Sequence, residues 1–328
     1  MTDVLNSLVV YWLKDGGADK FLVPPLEDIL KLRPYPAYVN LMAGNLDREF
    51  GPDHNVAGPV TIFVPPEISG PLGAGVGRAL QAQGIKVVLS ILSHTVEAVA
   101  SNGIHHKYSV GWSTMTAKDN KQLVSEIGQL KEQFNFDGID IDDEFGPAYT
   151  PRGPGTAKNF YDTVQAIPSA FPKPFVISNA VYQMSPYGDL DKYEKFPELG
   201  HLMTYCATMG YGNHFDSPPK FNIIDEAKTF CDAGIPKEKL YVGVQPGPFD
   251  SEGKVCPGVE DQGFTSIGVA KQVADWTKKH LYAGVMLYSY STDTVEYAGC
   301  PRPPKEKGWP NKDDHAWQKA ITSVLTAK

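Results

Sequence analysis

Short runs of β-branched and aromatic residues alternate along this chain with stretches whose apolar positions recur at helical period. The strand-like runs are Leu8–Leu13, Tyr38–Leu41, Lys86–Leu92, Phe136–Asp142, Phe175–Asn179, His201–Tyr205, Leu240–Val244 and Gly284–Tyr288. Between them, Lys118–Phe134 places Leu123, Ile127, Leu130 and Phe134 on one stripe, and Thr116 with Asp119 has the spacing of a capping box. Thr156–Ile167 carries Phe160, Val164 and Ile167 in the same way and is expected to stop at Pro168. Ile223, Ala227 and Phe230 form a further stripe ended by Gly234, and Trp317, Ala320, Ile321 and Val324 form the last. Segment Asn55–Pro65 predicts an added hairpin after the second strand.

Strands alternating with helices in this number over about 300 residues predict an α/β protein, a (β/α)8 TIM barrel. A single catalytic domain covering residues 1–328 is expected. The rival is an open doubly wound sheet. It would carry a glycine-rich phosphate turn after the first strand, and Trp12-Leu13-Lys14-Asp15-Gly16-Gly17 is not one.

Apolar residues make up 42% of the 328, enough for a well-buried core, and the formal charge of −8 is spread along the chain. No Lys/Arg run follows a groove, so nucleic acid is not an expected partner. No window approaches the roughly 18 apolar residues needed to span a bilayer, so no membrane partner is expected either. A monomer is expected. The first residues, Met1-Thr2-Asp3-Val4-Leu5-Asn6, have neither a basic nor an apolar leader region. The protein is then either cytosolic, or secreted with a leader removed and Met1 not the native start. Cys206, Cys231, Cys256 and Cys300 are too sparse for a disulfide scaffold, and no spacing among them suits zinc, so no metal or cofactor is expected. Cys206 and Cys231 read as buried small hydrophobes. Cys256 and Cys300 lie in the long loops after the seventh and eighth strands and are open to bridging in an oxidising compartment.

The candidate chemistry sits in Phe136-Asp137-Gly138-Ile139-Asp140-Ile141-Asp142-Asp143-Glu144. Residues of a strand alternate faces, so Asp140, Asp142 and Glu144 share one face and Ile139 and Ile141 the other. In a barrel the isoleucines pack beneath the helices and the acids point to the end where barrel enzymes carry their chemistry. Acids spaced about 7 Å apart on one strand face repel when ionised. Their pKa values must spread, so at least one holds a proton near neutral pH, as a general acid requires. Gly138 is expected to let a neighbouring backbone approach closely. Two plainer readings compete. A solvated acidic strand end does not explain the alternation with isoleucine. A Mg²⁺ or Ca²⁺ site is served by the same oxygen ligands, but no phosphate cradle or Ca²⁺-loop spacing accompanies them.

With these residues in view, the chain resembles glycoside hydrolase family 18, whose signature Asp-Gly-X-Asp-X-Asp-X-Glu on the fourth barrel strand is matched by Asp137 through Glu144. The resemblance implies a substrate-assisted route, an exception to the usual two-carboxylate scheme. Glu144 would protonate the leaving oxygen and later activate water. Asp142 would orient the substrate's own 2-acetamido group as nucleophile, and Asp140 would sit below and buffer Asp142. Met203-Thr204-Tyr205 fits the family's Met-X-Tyr, which implies that the Tyr205 hydroxyl meets the acetamido carbonyl; plain packing is the alternative.

Departures from the pattern narrow the subfamily. The usual Ser-X-Gly-Gly turn is replaced by Ser90-Ile91-Leu92-Ser93-His94. Cys206 stands where aspartate usually follows the tyrosine, and Tyr288 stands where chitinases place a tryptophan. Asp142-Asp143-Glu144-Phe145 and the histidine-ended third strand look like the endo-β-N-acetylglucosaminidases of the endoglycosidase H type. That resemblance implies an N-glycan or another GlcNAc-containing oligosaccharide as substrate. A chitinase of the same fold, and a non-catalytic family 18-like lectin, are the alternatives. Lectins of this kind typically lose the acid or its aspartate, and both persist here.

Sugars bind through aromatic faces and hydrogen bonds. Tyr11, Trp12, Phe145, Tyr149, Tyr182, Tyr211, Tyr288 and Tyr290 stand at or near strand ends, with ordinary packing expected for half or more of them. The expected substrate contacts are Tyr288, Phe145, Asn179 at the end of the fifth strand and Gln245 at the end of the seventh. His94 more simply caps a loop.

Overall fold

Strands walled by helices on one side and by each other's side chains on the other must bury both faces, which is why they read as continuous apolar runs. The structure is a computed structural model that describes residues 6–13, 25–50, 57–99, 105–144, 155–182, 188–212, 223–247, 265–290, 293 and 315–327. In chain order the strands are β1 (Ser7–Leu13), β2 (Tyr38–Phe50), β3 (Ala57–Phe63), β4 (Lys86–Leu92), β5 (His94–Val99), β6 (His105–Val110), β7 (Gly138–Asp142), β8 (Val176–Val181), β9 (Tyr205–Thr208), β10 (Leu240–Val244) and β11 (Gly284–Tyr288). The helices are α1 (Pro66–Gly73), α2 (Val76–Gln81), α3 (Ala117–Phe134), α4 (Ala157–Ala170), α5 (Asp189–Lys195), α6 (Leu199–Leu202), α7 (Ile223–Asp232), α8 (Ile267–Lys279) and α9 (Ala316–Leu325).

β1, β2, β4, β7, β8, β9, β10 and β11 pair in parallel in that order, and β11 returns to β1. The sheet therefore closes into a (β/α)8 barrel. Two apolar layers result. Leu8, Val10, Leu89, Ile91, Ile139, Ile141 and Val242 face the helices. Val9, Tyr11, Val88, Val176, Tyr205, Tyr241 and Met286 fill the lumen. The two isoleucines of β7 face outward, as alternation requires.

The structure departs from the periodicity at particular places. The second strand, expected to end at Leu41, runs to Phe50, and its pairing with β4 shifts register between Leu41 and Gly44. It keeps pairing with β4 as far as Asn45, and from there its extension pairs antiparallel with β3, which accounts for the hairpin signal around Asn55–Pro65. Arg48 of this extension meets Asp119 at 2.7 Å, with both side chains buried. Asp119 also closes the capping box of α3, accepting from Thr116 N at 2.9 Å. The expected strand His201–Tyr205 is corrected: His201 lies in α6, and β9 starts at Tyr205. A short apolar run fits either state, and here the turn forms because Gly200 packs on a neighbouring backbone. A Cβ there would lie 2.5 Å from the Gly234 carbonyl oxygen. α4 likewise continues through Pro168 to Ala170, because a proline in the last turn forfeits little while Phe160, Val164 and Ile167 stay buried.

Gly138 faces Val176 across the β7–β8 pair, and a Cβ at this position would overlap the Val176 backbone. Gly138→Ala is expected to destabilise the fold by roughly 3 kcal/mol, since the barrel wall must spread to admit the methyl group. Urea unfolding of the variant against the parent measures it.

Candidate active site

The signature strand places its acids in unlike surroundings. Asp140, in the lumen, is fully buried and surrounded by hydroxyls. Tyr11 Oη donates to its Oδ2 at 2.8 Å, Ser90 Oγ to Oδ2 at 2.9 Å and Ser178 Oγ to Oδ1 at 2.7 Å. Burial pushes its pKa up to about 6, against the opposing pull of Ser178, Tyr11, Ser90 and Asn40.

One step up the same face, Asp142 is buried, and its Oδ1 has no hydrogen-bond partner among the described residues. Burial, then the charges of Glu144, Asp140, Asp189 and Asp143, raise its pKa well above the usual carboxylate range. Glu144 is half-buried, and burial followed by the charge of Asp189 raises its pKa as well. Carboxyls whose ionisation burial resists thus share the lumenal face of this strand.

Asp143 points the other way and is the opposite case. Although burial resists its ionisation, Lys192 and the hydroxyls of Ser113 and Ser93 hold its carboxyl below the usual range. Ser93 Oγ donates at 2.5 Å and Trp112 N at 3.1 Å, Ser113 Oγ donates to Oδ2, and Lys192 Nζ lies 2.9 Å away. These partners come from the end of β4, from the residues after the β5–β6 hairpin and from α5. One carboxylate therefore ties together the loops around the acid. Lys192 also meets Asp189 at 2.8 Å and lies 4.5 Å from the ring centre of Phe160.

The expected aromatic contacts divide. Tyr205 sits level with Asp140 rather than Asp142, because its register partner is Ser178, which pairs with Asp140. Its hydroxyl donates to Asn40 Oδ1 at 2.6 Å. Tyr211 instead approaches the upper acids: burial, then Tyr288, Glu144 and Asp142, raise its pKa. Its ring stacks on Tyr288 with centroids 5.4 Å apart and planes within 9°. Room for it comes from Gly243, where a Cβ would lie 2.9 Å from the Tyr211 ring. The signal in the sequence was a tyrosine between glycines, Gly210-Tyr211-Gly212, directly after a strand. Tyr288 also meets Tyr11 edge-on at 5.9 Å.

Asn179 is corrected. It lies in the barrel wall, because β8 runs on to Val181, and it faces the helices. Its Nδ2 donates to the carbonyls of Ile141 and Ala180, and its Oδ1 accepts from Tyr193 Oη of α5 at 2.8 Å. Gln245 follows β10 on the lumenal alternation of Tyr241 and Gly243, with its backbone bonded to Thr265. Trp12 packs in the outer layer, as does Tyr290, which stacks on His315. Cys206 is buried 3.3 Å from Tyr193 Oη, and Cys231 is a second free thiol. Phe145, Tyr149, Cys256 and Cys300 lie outside the described residues.

A closed (β/α)8 barrel with stacked acids at the end of one strand is the architecture of a glycoside hydrolase. The sequence model of glycosyl hydrolases family 18 matches residues 79–247, which include the whole acidic strand, and the chain belongs to that family. No curated protein matches it. Among solved structures it is similar to the Group IV chitinase of Ostrinia furnacalis, at 13% identity over 98% of this chain and 100% of that one, with a TM-score of 0.64. It is also similar to the family 18 N-acetylglucosaminidase of Paenibacillus barengoltzii, at 13% identity over 97% and 99%, TM-score 0.62. A family 18 chitinase of Pseudoalteromonas aurantia matches at 17% identity over 97% and 99%, TM-score 0.58. At such identities the likeness is one of fold.

Because the folded pKa of Asp140 exceeds that of an unfolded aspartate, its ionisation costs stability as pH rises from about 4 to about 6. Tyr11→Phe removes one hydroxyl that favours the charged form, so the midpoint should rise by about one pH unit and the costly window should widen upward. Carboxyl ¹³C titration of both proteins reads the shift.

Proposed function

We propose that this chain, acting as one catalytic domain, hydrolyses the β-1,4 bond of the GlcNAc–GlcNAc core of N-glycans by substrate-assisted retaining catalysis. The supporting observation is the placing of Asp142 and Glu144 on one face of the signature strand: burial and then the Glu144 charge make the buried Asp142 harder to ionise, and burial raises the pKa of Glu144 itself. A protonated Glu144 donates its proton to the leaving oxygen. Asp142 Oδ1, unpartnered among the described residues, accepts the acetamido N–H of the bound sugar and steers its carbonyl oxygen onto the anomeric carbon. The bond to the leaving oxygen breaks as the oxazolinium ring closes. Glu144, now ionised, takes a proton from the water that reopens the ring with retained configuration. Asp140 beneath supplies a buried, hydroxyl-bound neighbour that keeps Asp142 in place. Tyr211 and Tyr288 offer stacked aromatic surface beside the acids.

Specificity for the glycan core is supported by the same features that set the chain apart from chitinases: no Ser-X-Gly-Gly turn, Tyr288 in the tryptophan's place, and Asp143 in the signature's variable position. A chitinase is the second reading. It is favoured by the similarity to the Ostrinia furnacalis Group IV chitinase, whose structure is also known in complex with allosamidin.

Glu144→Gln is expected to lower kcat by 10²-fold or more with the fold unchanged, the scale of a lost general acid. Full activity in that variant, measured by released oligosaccharide, would reject the assignment. Asp142→Asn should slow hydrolysis of the native substrate far more than that of a preformed sugar oxazoline, which no longer needs its acetamido group positioned. Incubation with a high-mannose glycoprotein and with chitin oligomers separates the two substrate readings. Release from the glycoprotein alone supports the first, and shortened oligomers alone support the second.

A further inference from the structure

Asp142 is the last residue of β7, and its Oδ1 has no hydrogen-bond partner among the described residues. Asp140, two residues earlier, is aimed by the hydroxyls of Tyr11, Ser90 and Ser178. The Asp142 oxygen takes its direction instead from burial and from the backbone that carries the side chain. Each peptide group is planar, so holding its carbonyl oxygen also holds the residue on either side. The peptide after Asp142 is held from β4, where Ser93 N donates to the Asp142 carbonyl at 2.9 Å. The peptide before it is held by a side chain. Asn179 Nδ2 donates to the Ile141 carbonyl at 2.8 Å, at the last rung of the β7–β8 ladder.

Asn179 is itself fixed. It is buried, its Nδ2 also donates to the Ala180 carbonyl at 2.8 Å, and its Oδ1 accepts from Tyr193 Oη at 2.8 Å. Two carbonyls face one end of the amide and a hydroxyl the other, so one orientation of the group satisfies all three. Tyr193 is buried on α5, its ring edge-on to Phe230 with centroids 6.0 Å apart. A helix outside the barrel wall is thereby linked, through one amide, to the peptide that carries Asp142.

We propose that Asn179 is a positioning residue for the hydrolysis: held by Tyr193, it holds the Ile141 carbonyl and so sets the direction in which Asp142 meets the acetamido group. The inference rests on the reading of Asp142 as the group that steers the acetamido. Ile177 and Val181, on the same face of β8, belong to the apolar outer layer. An apolar side chain at 179 would fill that layer without burying a polar group. What the amide adds is its hold on the Ile141 carbonyl. Placement matters at this point, since a reacting group displaced by about 1 Å costs on the order of 10²-fold in rate.

The test is Asn179→Leu, which keeps the bulk of the side chain and removes its bonds to Ile141, Ala180 and Tyr193. Site-resolved carboxyl ¹³C NMR reads Asp142 and Asp140 together. Asp140 is tied to β8 through Ser178 at 2.7 Å, so a general loosening of the β7–β8 pair moves both signals. The Asp142 signal should shift or broaden while the Asp140 signal stays in place. The kcat on the substrate that the parent cleaves should fall about tenfold or more, with hydrolysis of a preformed sugar oxazoline within about twofold of the parent. Signals that move together, an unmoved Asp142 signal, or an equal loss on both substrates would overturn the proposal. If Asn179→Leu does not fold, Tyr193→Phe takes its place, keeping the ring and removing the hydroxyl that holds the amide. The same pattern is then expected at smaller amplitude, and the same contrary results overturn it. The spectra need no turnover. A displaced Asp142 signal beside an unmoved Asp140, in a protein that cuts neither substrate, upholds the placing of Asp142 and rejects the function above it.

Discussion

The mouth of this barrel is organised by one electrostatic constraint: carboxyl groups crowd into a space with too little water to solvate their charges. Asp140, Asp142 and Glu144 stack on the lumenal face, and Asp143 and Asp189 lie just behind them. A buried carboxylate without partners costs several kcal/mol. The chain meets this cost in two ways. On the lumenal side ionisation is made harder, since burial raises the pKa values of Asp140, Asp142 and Glu144. On the helix side it keeps charge, with Asp143 ionised against Lys192, Ser93, Ser113 and the Trp112 amide. Removing Lys192 alone would leave the buried Asp143 and Asp189 carboxyls without their shared cation, at about 3–5 kcal/mol.

This division follows from strand alternation. Asp142, Asp143 and Glu144 are consecutive, so their side chains must diverge. A carboxyl turned outward meets loops and helices that can supply donors, whereas one turned inward meets the space where a substrate must fit. The donors around Asp143 come from β4, the residues after the β5–β6 hairpin, and α5, so satisfying one carboxylate also fixes the loops that frame the acid. Stability and chemistry are coupled here through backbone shared between adjacent residues.

Much of this was legible in the sequence where the information is local. Alternation of acid and isoleucine located the lumenal face of β7, and apolar runs located the barrel strands. The spacing of Thr116 and Asp119 located the start of α3. Legibility failed where the outcome depended on a distant partner. Lys192 and Asp143 are 49 positions apart, and nothing near Lys192 marks it as buried. Asn179 looked like a strand end, but β8 extends past it and Tyr193 takes its carbonyl oxygen. Tyr205 matched a motif, yet the register of β9 against β8 sets it beside Asn40, one level below Asp142. His201 sat in an apolar run that suits strand and helix equally, and the close approach of Gly200 to Gly234 decided for helix.

In the proposed mechanism the sugar's own acetamido group, steered by Asp142, attacks the anomeric carbon while Glu144 supplies the proton. Proton NMR of the first-released sugar, taken before mutarotation together with the intact mass of the protein during turnover, tests it most directly. The β-anomer and an unchanged protein mass are expected. The α-anomer, or a protein carrying the mass of a glycosyl group, would contradict it.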